Sequence, residues 1–333
     1  MKYVLTGATG FLGANLLYYL QDLGHDVHCI IRKPNMLVEN KGATLHTIPL
    51  TENPADIDKL ATVMDGADGV FHLAGVFDPS PEGRRLMTQV HIFGTRALLR
   101  AAELAKIRRF ITCSSSITVG FGDQSAPGDE NSHIQVEQVV GRSGPLRWYF
   151  DTKRQAEKIT LGWENLETIV VNPDYILGAY DIKPTSGQMI VTMKKRGIPF
   201  YPLGGKCFLS AEDCARAHLA AMEKGRIGQR YLLGYHNYSY RDILGKIAKV
   251  VGRTAPSLPM PTRVMKFAGH LGKVASRVDK HRFAGLDPMV LMSMQEKRYR
   301  SGQKMIEELG IQPQPIEAAI ESAYQWFCEN GYC

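Results

Sequence analysis

The chain has 333 residues with 40 Lys or Arg against 33 Asp or Glu, a formal net charge of +7. With 44% hydrophobic and 22% charged residues, it excludes a disordered polyelectrolyte, a collagen-like repeat and a disulfide-stapled miniprotein. At about 100–200 residues per domain, the length predicts one large or two modest domains with ample core.

The first half alternates short apolar strands with helical spacing. Lys2–Thr6 reads as a strand, Phe11–Leu23 as a helix stopped at Gly24, and Val27–Ile31 as a second, buried strand. Thr44–Ile48, Gly69–Leu73, Phe110–Cys113 and Glu167–Asn172 continue the strands, with long helices expected at Met87–Lys106 and Trp148–Leu161. That alternation implies right-handed crossovers and an α/β fold around a mostly parallel, doubly wound sheet. After Pro173 the rhythm changes. Pro and Gly interrupt residues 173–205, a helix follows at Ala211–Glu223, and the rest reads as largely helical with a break at Pro256–Pro261. The expected division is a nucleotide-binding domain of residues 1–172 plus about 206–233. A smaller, mainly helical C-terminal substrate-binding cap takes 173–205 plus 234–333.

Met1 already opens the first strand, so no signal peptide is expected, and no apolar run of about 18 residues is present to span a bilayer. Six scattered cysteines without CxxC spacing predict reduced thiols in a cytoplasmic protein. The histidines lack metal-ligand spacing, so no metal site is expected.

Thr6-Gly7-Ala8-Thr9-Gly10-Phe11-Leu12-Gly13 joins the first strand to the first helix. Gly7 permits a tight turn, Gly10 a close approach to a pyrophosphate, and Gly13 close helix–strand packing, while the helix N-terminus offers its N–H groups to the anion. The second strand then runs into Arg32-Lys33 with no acid until Glu39. A basic residue there suits the 2′-phosphate of NADP, where an acid would hold the ribose of NAD, so NADP is expected over NAD.

Tyr149 and Lys153 stand at i and i+4, on one helical face. An ammonium beside a phenol of pKa near 10 stabilises the phenolate and draws it toward acid–base service. The fifth strand ends in Cys113-Ser114-Ser115-Ser116, which brings hydroxyls to the C-terminal edge of the sheet, where open α/β folds bind ligands.

Together these strings resemble the extended short-chain dehydrogenase/reductase family, with its Rossmann-type sheet. They are TGATGFLG at 6–13, FHLAG at 71–75, RRFITCSSS at 108–116 and YFDTK at 149–153, followed by AE at 156–157. Within the family the chain is most similar to dihydroflavonol-reductase-like and hopanoid-associated sugar epimerase-like proteins, through Asn172-Pro173, 178–187, 225–234 and the tail. The resemblance implies Tyr149 as acid/base, Lys153 on the nicotinamide ribose, and Ser116 as the substrate-facing hydroxyl, with Ser115 its nearest rival. It further implies cofactor contacts at Thr6, Gly7, Thr9, Gly10, Phe11, Leu12, Gly13, Arg32, Lys33, Leu50, His72, Ala74 and Gly75, and at Asn172, Pro173, Tyr175 and Ile176. Leu50 follows Pro49 where the family often has Asp-Leu, which removes a side-chain contact to adenine. His91 replaces a usual Asn and reads as a core-facing support for the active-site backbone, with a proton relay as the sharper alternative. Asp174 stands where a small residue commonly follows Asn-Pro.

Two enzymatic readings follow. One is NADPH-dependent reduction of a ketone or aldehyde; the other is epimerisation or dehydration of a nucleotide sugar by a tightly held NAD(P). The acid pair that dehydration needs beside the serines is missing, which favours reduction. A non-catalytic NADP sensor is disfavoured by the intact Ser116, Tyr149 and Lys153. Phe77, Trp148, Tyr175, Met189, Met193, Phe200, Tyr201 and Phe208 suggest a hydrophobic or aromatic carbonyl substrate. No nucleic-acid-binding string occurs, and the two long helices offer faces for a homodimer. The charge itself is local: Arg263–Arg300 holds nine Lys or Arg and three acids, 9 − 3 = +6 of the +7. It could attract an anionic substrate or touch an anionic bilayer, or simply be a solvated helical face.

Overall fold

Burial along the first strand sets the architecture. In β1 (Lys2–Thr6), Tyr3 and Leu5 enter one core and Val4 the other, as a strand covered on both faces requires. The computed structural model describes residues 1–39, 41–265 and 288–333. Helix α1 (Phe11–Asp22) leads to β2 (Asp26–Ile31), and the short α2 (Met36–Glu39) to β3 (Thr44–Thr47). Asn53 caps α3 (Pro54–Met64) by accepting from the Ala55 N–H, with Pro54 in the first turn, and β4 (Gly69–His72) follows.

The long helix expected next is three segments. These are α4 (Gly83–Thr88), a π-helical turn at Gln89–Phe93 and α5 (Gly94–Leu104). A π turn takes an extra residue and resets the helix face, and it carries the fully buried His91. Then come β5 (Arg109–Cys113), a 3₁₀ turn at Ser116–Thr118, α6 (Val136–Val140), α7 (Pro145–Leu161) and β6 (Glu167–Pro173). Helix α7 starts three residues before its apolar spacing predicts, because Pro145 fits a first turn whose N–H has no intrahelical acceptor.

Beyond β6 the chain builds a second layer: β7 (Tyr175–Leu177), α8 (Gln188–Arg196), β8 (Phe200–Tyr201) and β9 (Gly205–Ser210). It rejoins the first through α9 (Ala211–Lys224), packed on α1, and β10 (Arg230–Leu233). The main sheet has the order β3-β2-β1-β4-β5-β6-β10, parallel throughout. Next are β11 (His236–Ser239), α10 (Tyr240–Val251), β12 (Leu258–Pro259) and β13 (Lys297–Arg298), and the helix Ile316–Glu329 lies near the C-terminus. The cap is less purely helical than its spacing predicts. β9 pairs with β7, β11 and β13, and β8 with β12, in strands of two to six residues, too short for an alternation to register in sequence. Most of the basic stretch, residues 266–287, lies outside the described residues.

Strand order reverses direction between β1 and β4, and the crevice at their C-terminal ends is where such a sheet binds ligands. The loops after β1, β4, β5 and β6 converge there.

Candidate active site

The turn after β1 is shaped by contacts that admit no side chain. Gly7 sits at φ +83°, and a Cβ there would lie 2.6 Å from the Leu73 carbonyl carbon. Its carbonyl accepts the Gly10 N–H at 2.9 Å, and a Cβ on Gly13 would stand 2.1 Å from that same oxygen. No side chain caps α1 and no acid occupies its first turn, so its leading N–H groups face the crevice. Gly13→Ala should cost about 1–3 kcal/mol, because only backbone can yield to the new methyl. Thermal denaturation and nucleotide titration would check this, with loss of dinucleotide binding as the accompanying result.

Phe11 and Leu12 are partly exposed at the turn, and Arg32 and Lys33 are exposed past β2, without an ion pair among the described residues. Asn35 was not anticipated. Its Nδ2 donates to the Thr9 carbonyl at 3.0 Å, leaving its buried Oδ1 without a partner among the described residues. The bare helix N-terminus suits the pyrophosphate of a nicotinamide dinucleotide, and the orphaned Asn35 acceptor suits a hydroxyl or amino donor of it.

Thr6 and His72 stand behind this turn rather than on its surface. The Thr6 Oγ1 accepts the Ala74 N–H at 3.1 Å and therefore donates to His72 Nδ1 at 2.8 Å. His72 Nε2–H then donates to Thr95 Oγ1 at 2.9 Å, and Thr95 to the His91 carbonyl. Burial, helped by the Lys153 charge, pulls the His72 pKa down to about 3, so the ring stays neutral and this buried line braces the loop carrying Ala74 and Gly75. Leu50, partly buried against Gly94, gives its carbonyl to Gln89 Nε2 at 3.2 Å.

On α7, Lys153 is buried and donates from Nζ to the Cys113 carbonyl at 3.1 Å. A Cβ on Gly75 would lie 3.1 Å from that Nζ, so a side chain there would crowd the ammonium. Tyr149 is partly exposed, edge-on to His91 at 5.6 Å and to Phe77 at 5.5 Å. His91 Nε2 accepts the Val76 N–H at 3.1 Å, so the proton sits on Nδ1 and is donated to Thr152 Oγ1 at 2.9 Å. Burial drives its pKa to about 2, with Lys153 and His72 adding to the shift. Both nitrogens are committed, so His91 ties α7 to the β4 loop and leaves none for a relay.

The three serines after β5 differ in their partners. Ser114 Oγ is buried without a partner among the described residues, Ser115 caps the 3₁₀ turn through the Ile117 N–H, and Ser116 donates to Asp174 Oδ1 at 3.0 Å. Asp174 in turn holds Arg300 Nη1 at 2.7 Å, an ion pair with both side chains buried. Arg300 also donates to the Gly120 and Val119 carbonyls at 3.0 and 3.1 Å, stitching the serine loop to the cap. Asn172 is fully buried. Its Nδ2 lies within hydrogen-bond distance of the Ser115 carbonyl, Thr118 and Glu157, which commits the amide N–H groups, while its buried Oδ1 has no partner among the described residues. Pro173 ends β6, and Tyr175 and Ile176 are partly exposed in β7.

Among the apolar candidates, Phe77 touches Tyr149, whereas Met193 and Phe208 are fully buried in the cap core, and Tyr175, Met189 and Tyr201 pack partly buried on it. Phe200 is exposed in the two-stranded sheet. Of this apolar set, Phe77 alone has a ring contact with Tyr149 among the described residues. Glu157 and Arg300 are the other unanticipated members. The AE string marked the first only as a motif, and nothing local marked the second.

With this geometry in place, comparison with known proteins gives the class. The signature of the NAD dependent epimerase/dehydratase family matches residues 3–234, and the chain belongs to that family, within the extended short-chain dehydrogenase/reductase superfamily. It is 29% identical to a protein of Synechocystis sp. named for dihydroflavonol 4-reductase, over 99% of this chain and 95% of that one. It is 28% identical to sterol demethylase protein B of Methylococcus capsulatus over 99% of both chains. Among solved structures it resembles gox2253, at 27% identity and TM-score 0.82, covering 99% of this chain and 98% of that one. Among the described residues, no helix is long and apolar enough to cross a membrane.

Proposed function

We propose that the protein is an NADP(H)-dependent oxidoreductase that reduces a ketone or aldehyde on a largely apolar substrate. The observation that carries this is the placement of Tyr149 and Lys153 on one face of α7, with Lys153 anchored to the end of β5 and pressed against Gly75. NADPH supplies the hydride when bound. Tyr149 gives its proton to the carbonyl oxygen, and Lys153 stabilises the phenolate left behind. Ser116 turns its O–H from Asp174 onto that oxygen by rotation about one C–O bond. Gly7, Gly10 and Gly13 receive the pyrophosphate, and Arg32 with Lys33 the 2′-phosphate. The names of the two curated relatives favour a polycyclic or aromatic carbonyl compound, and the Phe77 ring at Tyr149 fits one.

The test is a panel of ketones and aldehydes with NADPH and NADH, followed at the nicotinamide absorbance. Net NADPH consumption is expected. Protein that carries firmly bound NAD(P) and interconverts nucleotide sugars without net consumption would overturn the reading in favour of epimerisation. Arg32→Ala should weaken NADP⁺ binding about 10–100-fold, the worth of a charged hydrogen bond, and leave NAD⁺ binding unchanged. Equal losses for both cofactors by calorimetry would remove Arg32 from the specificity argument.

A further inference from the structure

The cap also presents an apolar face to solvent. Strand β8 pairs with β12 in a register that sets Phe200 beside Leu258 and Tyr201 beside Pro259. Neighbours along a strand point to opposite faces, whereas register partners share one. Tyr201 packs on the cap core, with the Arg241 guanidinium 5.8 Å from its ring, so Phe200 and Leu258 point outward together. Leu203 follows β8 and Val264 follows β12, and all four side chains are 42–53% exposed. Gln295 joins the two stretches, accepting the Leu203 N–H and donating to the Met260 carbonyl, each at 3.3 Å. Eleven large apolar side chains are exposed among the described residues, and four of them fall within 194–204 and 252–265. That is a patch, not the usual scatter of single residues.

The charge of these two stretches has one sign. They hold Lys194, Lys195, Arg196, Arg253 and Arg263, and no Asp or Glu. Arg253 donates from Nε and Nη2 to the Lys194 carbonyl at 3.0 and 2.8 Å, which joins the basic end of α8 to the approach to β12. Lys195, Arg196, Arg253 and Arg263 are exposed. Glu296 meets the region through its carbonyl, which accepts the Gly205 N–H, but its carboxylate is taken by Arg298 at 2.8 Å. Pro199, Pro202, Pro256, Pro259 and Pro261 stiffen the ribbon and remove N–H donors from it. Such an edge is a poor template for a further strand, which argues against a peptide partner added to the sheet. An aromatic ring and aliphatic groups among cations, with no acid, suit the headgroup region of an anionic bilayer.

We propose that the β8–β12 face seats the protein peripherally on an anionic lipid bilayer, with Phe200, Leu203 and Leu258 entering the interface and Lys195, Arg196, Arg253 and Arg263 meeting the headgroups. This goes beyond the carbonyl chemistry and does not depend on it.

The experiment is flotation of the full chain with vesicles of phosphatidylcholine alone and of equal parts phosphatidylcholine and phosphatidylglycerol. Binding to the mixed vesicles is expected, weakening as salt is raised, with little binding to the neutral ones. Phe200→Ser with Leu258→Ser should lower the partition coefficient about tenfold or more, because two apolar side chains stay in water. Lys195→Gln with Arg196→Gln should lower it about 10–30-fold. Both double variants should melt close to wild type, since the altered side chains are exposed. In Phe200→Trp, the added emission should shift to the blue on the mixed vesicles and be quenched by brominated acyl chains. Failure to float with the mixed vesicles, or equal flotation by wild type and Phe200→Ser with Leu258→Ser, overturns the proposal. So does equal binding to neutral vesicles. A chain that ignores vesicles but forms a dimer dissolved by the Phe200→Ser and Leu258→Ser pair assigns the face to a second copy instead. No turnover is read, so carbonyl reduction stands or falls separately.

Discussion

Tyr149→Phe should lower kcat about 10²–10⁴-fold, the span of a general acid–base group, with cofactor affinity and melting temperature close to wild type. The phenol oxygen makes no hydrogen bond among the described residues, and the ring's contacts to His91 and Phe77 survive the change. The loss therefore falls on the proton-transfer step and not on the fold. Lys153→Met is the instructive contrast. It removes a buried donor to the Cys113 carbonyl and a neighbour of Gly75, so it should cost stability as well as rate. Steady-state kinetics paired with thermal denaturation separates the two variants. A Tyr149→Phe enzyme with wild-type kcat would remove Tyr149 from the chemistry.

The parts legible in the sequence are those set by local rules. A strand buried on both faces, a glycine turn where a Cβ on Gly7 or Gly13 would strike backbone, and a Tyr and Lys one helical turn apart all declare themselves within a few residues. The π turn does not, because its extra residue leaves the apolar spacing of 83–104 almost intact while moving His91 inward. The serine string shows the same limit. Three adjacent hydroxyls are equivalent as letters, and only the carboxylate of Asp174, 58 residues away, singles out Ser116. Phe208 and Met193 look like pocket lining by type, yet both serve the core of the cap. The basic excess near the C-terminus is the clearest case. Among its members, Arg298 and Arg300 are buried, the first donating to the Val139 carbonyl of α6 and the second to the loop after the serines, so part of what composition offers as surface charge is interior electrostatics.

That interior charge makes the second large prediction. Arg300→Met should destabilise the protein by about 3–5 kcal/mol, since it strands the Asp174 carboxylate in a site where that side chain is only 5% exposed. The Val119 and Gly120 carbonyls lose their donors at the same time, which loosens the loop holding Ser116. Arg300→Lys should recover only part of this, because one ammonium cannot span three acceptors as a planar guanidinium does. Asp174→Asn should be nearly as costly from the other side, leaving a buried guanidinium unpaired. The double variant Asp174→Asn/Arg300→Met should be less unstable than the sum of the two by about 0.5–3 kcal/mol. Urea denaturation of both singles and the double measures that coupling. If the effects add, the two residues do not act as a pair. If each single costs under about 1 kcal/mol, the contact behaves like an exposed ion pair, and Ser116 takes its orientation from the 3₁₀ turn alone.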